Sequence, residues 1–434
     1  MQASTGWKYE KHWKVPFFTI WTGQAFSLLG SMLVSFSLIW WLTKTTGSAT
    51  VLATASLAGL LPQILLGPFI GTLVDRWNRR LVMMVADSFI ALVTALLAIL
   101  FLTGHVEIWQ VYILMTLRSI AGGFHWPAMT ASTSLMVPSE HLSRIQGMNQ
   151  ILQGGMNIVS APLGALLLDV MPIQGILAID VVTALIAVLP LVFIPVPQPV
   201  RKASEKDGQP RSSVWKEFKE GLRYFFSWPG LIIIGLMATV INLVLNPAFT
   251  LVPIMVTKHF NGQAIQLAWM ESALGLGIVA GGLLLSVWGG FKRRILTSLV
   301  GLMGMGIGCL LLGFVPSYMF PAAVGLMFWL GFTNPITNGP LLASVQAVVA
   351  PEMQGRVFTL IQSLASGMSP LGLIIAGPVA DKFGVQSWFI LGGSITLVMA
   401  VCMLFIPAVM NFEKGRTVLS QSEETVILAG NPAD

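Results

Sequence analysis

Of the 24 lysines and arginines in the chain, only Arg118 falls deep inside a long apolar run. It stands eleven residues past Glu107. At 1.5 Å per helical residue that is roughly 16 Å in, near the middle of a ~30 Å hydrocarbon layer. An arginine there costs at least ~2.5 kcal/mol to insert, so it must face a polar cavity or a partner. Four acids sit in comparable surroundings: Asp87, Asp169, Asp180 and Glu271. A carboxylate removed from water is a candidate for proton exchange, because desolvation favours its neutral form. One or both of Asp180 and Glu271 are expected to exchange protons with the outer face, with Arg118 sensing their charge. Arg118 can equally serve as a structural ion-pair partner. Asp87 lies seven residues past Arg80, and is expected in the charge network around Arg76.

Uncharged polar residues recur at helical spacing. Gln24, Ser27, Ser31 and Ser35 share one face, as do Arg118, Gly122 and His125. Further stripes are Gln146, Gln150, Gln153 and Asn157; Asn242, Asn246 and Thr250; Asn334 and Asn338; and Gln362, Ser366 and Ser369. Amides avoid lipid and turn toward protein or water, so each stripe either lines a polar path or bonds helix to helix. Trp126 and Phe332 are the aromatics expected to meet a bulky amphipathic molecule in such a path. The histidines have no metal-ligand spacing, no nucleophile–base cluster occurs, and no phosphate-binding Gly-x-x-x-x-Gly-Lys pattern is present. An enzyme, a resident metal and an intrinsic ATPase are therefore not expected, and no cofactor is. Cys309 and Cys402 read as small core residues.

The elements that must carry these residues follow from composition. The chain is 55% hydrophobic and 10% charged, against about 25% charged in soluble domains. So few charges cannot cover a water-soluble globule of 434 residues. Apolar runs long enough to cross a bilayer lie near 16–42, 49–74, 81–103, 107–136, 144–168, 173–196, 229–256, 265–288, 295–314, 318–348, 357–380 and 386–410. The fold class is thus an all-α membrane protein of twelve spans. Its expected parts are an N-terminal segment 1–15, a bundle 16–196, a polar connector 197–228 with an amphipathic stretch at 213–222, a second bundle 229–410 and a tail 411–434. With both termini placed in the cytoplasm, twenty basic residues fall inside and three (Lys44, Lys258, Lys382) outside. That asymmetry assigns the orientation. It also accounts for the net charge of +6 without a nucleic-acid partner.

The two bundles are related. A shift of 212 residues lays Glu140 on Glu352, Arg144 on Arg356, Gln150 on Gln362, Gly155 on Gly367 and Asp169 on Asp381. Gly-x-x-x-Asp ends two spans, at Gly71–Asp75 and Gly377–Asp381.

Several motifs carry a resemblance. The loop Gly71-Thr-Leu-Val-Asp75-Arg76-Trp-Asn78-Arg79-Arg80 resembles the signature loop of the major facilitator superfamily, where it acts as a conformational latch. Asn78 replaces the usual second glycine, which Asn tolerates by also visiting left-handed backbone. The matching loop Gly289-Gly-Phe-Lys292-Arg293-Arg294 keeps the basic cluster without the Asp. For Arg79 and Arg80, plain positive-inside charge is an equal alternative. Leu117-Arg118-Ser-Ile-Ala-Gly122 is similar to the family's fourth-helix motif. Gly155 to Gly164, with Pro162, resembles its antiporter motif, although Ala161 stands where a glycine is usual. Trp21-Thr-Gly-Gln24, Thr46-Gly-Ser-Ala49, His259-Phe-Asn-Gly262 and Gly281-Gly282 extend the likeness to bacterial macrolide-efflux proteins across nearly the whole chain.

This resemblance implies two pseudo-symmetric six-helix bundles in a bacterial plasma membrane and a drug:proton antiporter driven by the proton gradient. Its partners would be lipid, protons and a small amphipathic substrate, and the chain would be a monomer. The first span lacks the acid that many drug:proton antiporters carry there. A siderophore exporter or lysolipid mover, and a non-transporting sensor or scaffold, are the alternatives. The anionic cargoes would call for a more basic cavity than Arg118 alone supplies.

Overall fold

The computed structural model describes residues 12–198, 222–349 and 351–414. Among these, twelve helices have 20 residues or more. They are α1 (Lys14–Thr46), α2 (Ala49–Arg76), α3 (Arg79–Thr103), α4 (Ile108–Met136), α5 (Ser139–Val170), α6 (Ile173–Phe193), α7 (Pro229–Thr250), α8 (Ala264–Trp288), α9 (Arg294–Phe314), α10 (Phe320–Val348), α11 (Pro351–Phe383) and α12 (Val385–Leu404). Each expected span falls on one helix. A π-helical turn, Met255–His259, follows α7. The amphipathic stretch expected at 213–222 lies outside the described residues except for Leu222.

Ten of the twelve are long and apolar enough to cross a membrane. The other two, α4 and α10, are the ones diluted by Arg118 and His125 and by Asn334 and Asn338. On α4 that polarity faces a cavity, since Arg118 and His125 both line it. On α3, Val82, Met83, Ala86, Asp87, Thr94 and Leu97 are buried, while Leu81, Val85, Leu92, Leu96 and Ile99 are exposed. Apolar side chains outside and polar ones inside invert the soluble pattern, and lipid is the solvent that makes this stable. Cys309 is buried as expected; Cys402 is exposed on the outer surface of α12, where a thiol is compatible with lipid.

Helix starts reveal the internal repeat more sharply than residue matches do. Lys14 and Pro229, Ala49 and Ala264, and Arg79 and Arg294 stand 215 residues apart. Ile108 and Phe320, Ser139 and Pro351, and Ile173 and Val385 stand 212 apart. The 212-residue shift therefore covers only the second three helices of each half. A three-residue difference between the starts of the third and fourth helices separates the two registers.

The chain divides into two compact units. The first comprises Met1–Gly208, Thr250–Ser272 and Ala376–Asp381; the second comprises Gln209–Phe249, Ala273–Ile375 and Lys382–Asp434. In the first, α1 packs on α6, α3 on α4 and α6, and α2 on α4. Gly23 and Gly30 lie two turns apart on the face of α1 that meets α6. A Cβ at Gly30 would come within 2.3 Å of the Thr183 hydroxyl. In the second, α9 packs between α10 and α12.

The grouping of Ala376–Asp381 with the first unit has a local cause. The Asp381 carboxylate accepts from the Ala49 N–H (2.7 Å), the Thr50 N–H (2.9 Å) and the Ser48 hydroxyl (2.8 Å). It thus satisfies the open donors and the positive end of the α2 dipole. Gly377 makes room, since a Cβ there would lie 2.8 Å from Thr50 Cα. Asp381→Ala is expected to cost about 1 kcal/mol, as for loss of a helix cap. A lowered Tm of the purified protein, with partial recovery in Asp381→Asn, checks this.

Candidate functional site

A cavity of about 670 Å³ opens within the first unit. Its wall combines α1, α2, α3, α4 and α5, and three of the polar stripes meet there. Gln24, Ser27, Ser31 and Ser35 come from α1, and Arg118, Gly122 and His125 from α4. Gln146, Gln150 and Gln153 come from α5, and Asp87 from α3. Trp126, 55% exposed, and Met115, Met129 and Leu28 add apolar surface. The volume lies within the ~300–1,000 Å³ of small-molecule pockets.

Two charged layers cross this wall. In the first, the Arg118 guanidinium meets Asp180 of α6 at 2.6 Å. Asp180 is fully buried and also accepts from the Thr94 hydroxyl (2.9 Å) and the Ser31 hydroxyl (3.0 Å). Arg118 also reaches the Thr94 hydroxyl. Three donors thus converge on the buried carboxylate, with Arg118 as its charged partner.

The second layer lies two turns along α4. Asp87, 3% exposed, accepts from the Gln24 side-chain amide at 2.9 Å. Its other oxygen lies 3.3 Å from His125 Nε2. The same His125 nitrogen is 2.7 Å from Gln24 Oε1. The expectation that Asp87 joins the Arg76 network is thereby corrected. Its carboxylate points between α1 and α4, where Gln24 and His125 fill it. Sequence spacing placed Gln24 and His125 on polar faces, but not against Asp87.

Glu271 sits two turns into α8 and does not line the cavity. Asn157, expected on the α5 stripe, is exposed and stands one turn beyond the lining residue Gln153. Of the remaining stripe residues, Thr250 belongs to the first unit and the others to the second. The Asn242 amide donates to the Ala238 carbonyl (2.9 Å) and Asn246 to Asn242 Oδ1 (2.8 Å). Asn338 donates to the Asn334 carbonyl (3.1 Å). Phe332 stacks on Phe328 and Trp329 at 6.3 and 5.9 Å. Gln362 is exposed on α11.

Near the signature loop, Gly71 and Asp75 lie in the last turns of α2 and Arg76 ends it, exposed. The side chain of Asp75 is outside those described. Asn78 is not left-handed. At φ −69° it caps α3, its side chain accepting from the Arg80 and Leu81 N–H groups (3.1 and 3.3 Å). A side-chain acceptor for the helix N–H groups, which glycine cannot supply, is the physical reason Asn suits this position.

Arg80 donates to the Leu191 and Val192 carbonyls in the last turn of α6, where a cation complements the helix dipole. Arg79 is buried and donates to the Ala131 carbonyl of α4 at 3.0 Å. Arg294, which opens α9, makes the matching contact to the Ala343 carbonyl of α10 at 3.5 Å. The repeat thus uses one arginine per half to tie its third helix to its fourth.

In the α5 motif, a Cβ at Gly164 would fall 2.7 Å from the Phe36 ring of α1, while Gly155 has open space around it. Pro162 stands inside the helix between them. Gly164 is the close-packing residue of the pair. Glu107 forms a capping box with Gln110 at the start of α4.

Comparison with known proteins agrees with this architecture. A family model described as the Major Facilitator Superfamily matches residues 20–373. "Macrolide efflux protein A" of Streptococcus pyogenes is 36% identical over 390 residues, 90% of this chain and 95% of that protein. A protein of the same name from Enterococcus faecalis is 35% identical over 327 residues, 75% of this chain and 100% of its own. Among solved structures, the nucleoside transporter NupG superposes with a TM-score of 0.66 at 15% identity, covering 90% of this chain and 98% of that one. At that identity the likeness concerns the fold alone.

Proposed function

The chain belongs to the Major Facilitator Superfamily, and on that premise we propose that it exports cationic amphipathic drugs of the macrolide class in exchange for protons. The observation that carries the reading is the charge balance of the cavity. Arg118 is neutralised by the buried Asp180. Asp87 on the same wall has, among the described residues, only an amide and an imidazole as partners. With His125 neutral, the two layers together carry one surplus negative charge. A low-dielectric wall with that surplus favours a protonated amine over an anion. Macrolides bear such an amine on a bulky apolar body, and Trp126 and the methionines offer the apolar contact. The same balance supports export of a cation over movement of an anionic siderophore or lysolipid, because no unpaired basic group faces the cavity among the described residues.

The transporter is a multi-pass protein of the bacterial plasma membrane, works as a monomer and keeps both termini in the cytoplasm, where the positive-inside asymmetry puts them. Alternating access exposes the cavity to each side in turn. Gly71, Asp75 and Arg76 form the latch, while Arg79 and Arg80 hold helices within their own half. Proton exchange belongs to the charged cavity wall, with Glu271 as a second candidate outside it.

Expression in an efflux-deficient bacterial host tests this directly. The tolerated macrolide concentration should rise and labelled macrolide accumulation should fall. Both effects should vanish with a protonophore. Resistance that persists without a proton gradient would overturn the coupling. No protection against any cationic amphiphile would overturn the cargo. Glu271→Gln should retain gradient-driven export, and its loss would return Glu271 to the coupling site.

A further inference from the structure

Gln24, Asp87 and His125 bind one another through a closed set of contacts whose hydrogen positions are determined. A carboxylate only accepts, so the Gln24 atom 2.9 Å from Asp87 Oδ2 is its NH₂. Gln24 Oε1 therefore faces His125 Nε2 at 2.7 Å. Asp87 Oδ1, also an acceptor, lies 3.3 Å from the same nitrogen. With acceptors on both sides, Nε2 must carry a hydrogen. That leaves Nδ1 as the ring atom with no protein partner among the described residues. The ring belongs to a cavity-lining side chain that is 17% exposed.

We propose that His125 is the residue that carries the transported proton, taking it up and releasing it at Nδ1, with Asp87 and Gln24 as the positioning pair that holds Nε2–H. The proposal rests on the reading of the chain as a proton-coupled exporter of cations.

The step is a simple acid–base exchange. A hydronium ion in the cavity gives its proton to the Nδ1 lone pair and leaves as water. The neutral imidazole becomes an imidazolium, and the Asp87 charge beside it is cancelled. In reverse, the proton returns to water and the Asp87 charge is again available to a cationic cargo. Proton and cargo thus compete for one carboxylate without touching the same atom. The charged groups facing His125 are Asp87 from α3 and Arg118 two turns along α4, with Asp180 of α6 behind Arg118. The stretches of α1, α2 and α5 that line the cavity supply amides and hydroxyls but no charge. Asp180 is a poorer carrier because Arg118, Thr94 and Ser31 already occupy it.

The test has two readouts on the full chain. In the first, ¹⁵N-histidine spectra of the protein in nanodiscs are recorded against pH, and His125 is assigned by its absence in His125→Gln. The neutral form should be the Nε2–H tautomer and should gain a proton between pH 5 and 9. In Asp87→Asn that proton should be held at least ~tenfold more weakly, a shift of about one pH unit. The opposite tautomer, no titration in that range, or a midpoint unmoved by Asp87→Asn would overturn the proposal. No cargo is needed for this readout.

In the second, vesicles carrying the protein are given a gradient of one pH unit and labelled erythromycin, with protein-free vesicles as the baseline. One proton per cargo sustains about a tenfold cargo gradient. His125→Gln should lose that accumulation while counterflow without a pH gradient is still measurable. Loss of both or of neither would overturn the proposal. Wild-type vesicles that move no erythromycin in either assay would count against the proposed function, leaving the spectroscopic result to decide the assignment of His125.

Discussion

Arg118→Met should lower the stability of the protein by about 3–5 kcal/mol, the range measured when one partner of a buried ion pair is removed. The variant leaves Asp180 fully buried with, among the described residues, only the Thr94 and Ser31 hydroxyls as donors. Two neutral hydrogen bonds do not offset an isolated carboxylate in such a site. The pair also joins α4 to α6 and, through Thr94, to α3, so three helices feel its loss. Arg118→Met combined with Asp180→Asn removes both charges and should recover most of that stability, because well-packed neutral groups often replace a buried pair at little cost. Thermal unfolding of the detergent-purified variants makes the comparison. Equal Tm values for wild type and Arg118→Met would show that the pair contributes nothing to folding. A double variant as unstable as the single would point to lost packing of the arginine stem instead.

Gly277→Ala and Gly281→Ala should be as damaging, for a purely steric reason. The two glycines are four residues apart on α8 and present their bare faces to α10. A Cβ at Gly277 would lie 2.1 Å from the Phe328 carbonyl oxygen, and one at Gly281 2.0 Å from that of Phe332. From the other side, a Cβ at Gly331 would lie 2.0 Å from the Leu274 carbonyl oxygen. These obstacles are backbone atoms, so no side chain can swing aside and the helices must separate. Between membrane helices, close packing is itself the main attraction, and small residues four apart are how it is achieved. Each alanine is expected to cost about 3 kcal/mol, the upper part of the overpacking range, and the double variant should fail to assemble. Gly282, the next residue, has nothing within 4 Å of its Cβ position. Gly282→Ala should be neutral or slightly stabilising, since alanine outranks glycine by about 1 kcal/mol in a helix. Expression level and monodispersity in detergent separate these outcomes. Tolerance of Gly277→Ala and Gly282→Ala alike would refute the close crossing.

The glycines also show where reading the chain runs out. Gly281 and Gly282 are adjacent and identical in type, and nothing local says which one meets α10. The same holds for polar residues. The stripes on α1 and α4 placed Gln24, Ser31, Arg118 and His125 on common faces, and all four line the cavity. Asn157 continues the α5 stripe in sequence and is exposed one turn beyond the lining residue Gln153. The 212-residue repeat was visible because charged and amide residues marked it. The 215-residue register of the first three helices was invisible among interchangeable apolar residues, and helix starts were needed to expose it.

What the sequence determined by itself was the solvent and the segments: few charges, twelve apolar runs and a skewed distribution of lysine and arginine. Crossing a bilayer is a local property, since each helix satisfies its own backbone and only its length and hydropathy matter. What the tertiary structure alone decided was partnership. Arg118 required a polar partner, and the packing of α4 on α3 and of α3 on α6 supplied Asp180 from 62 residues away. That pairing withdrew Arg118 from the cavity's charge balance and left Asp87 with His125. Burial makes an ionisable group seek a partner, but which partner it finds depends on distances that no spacing along one helix encodes.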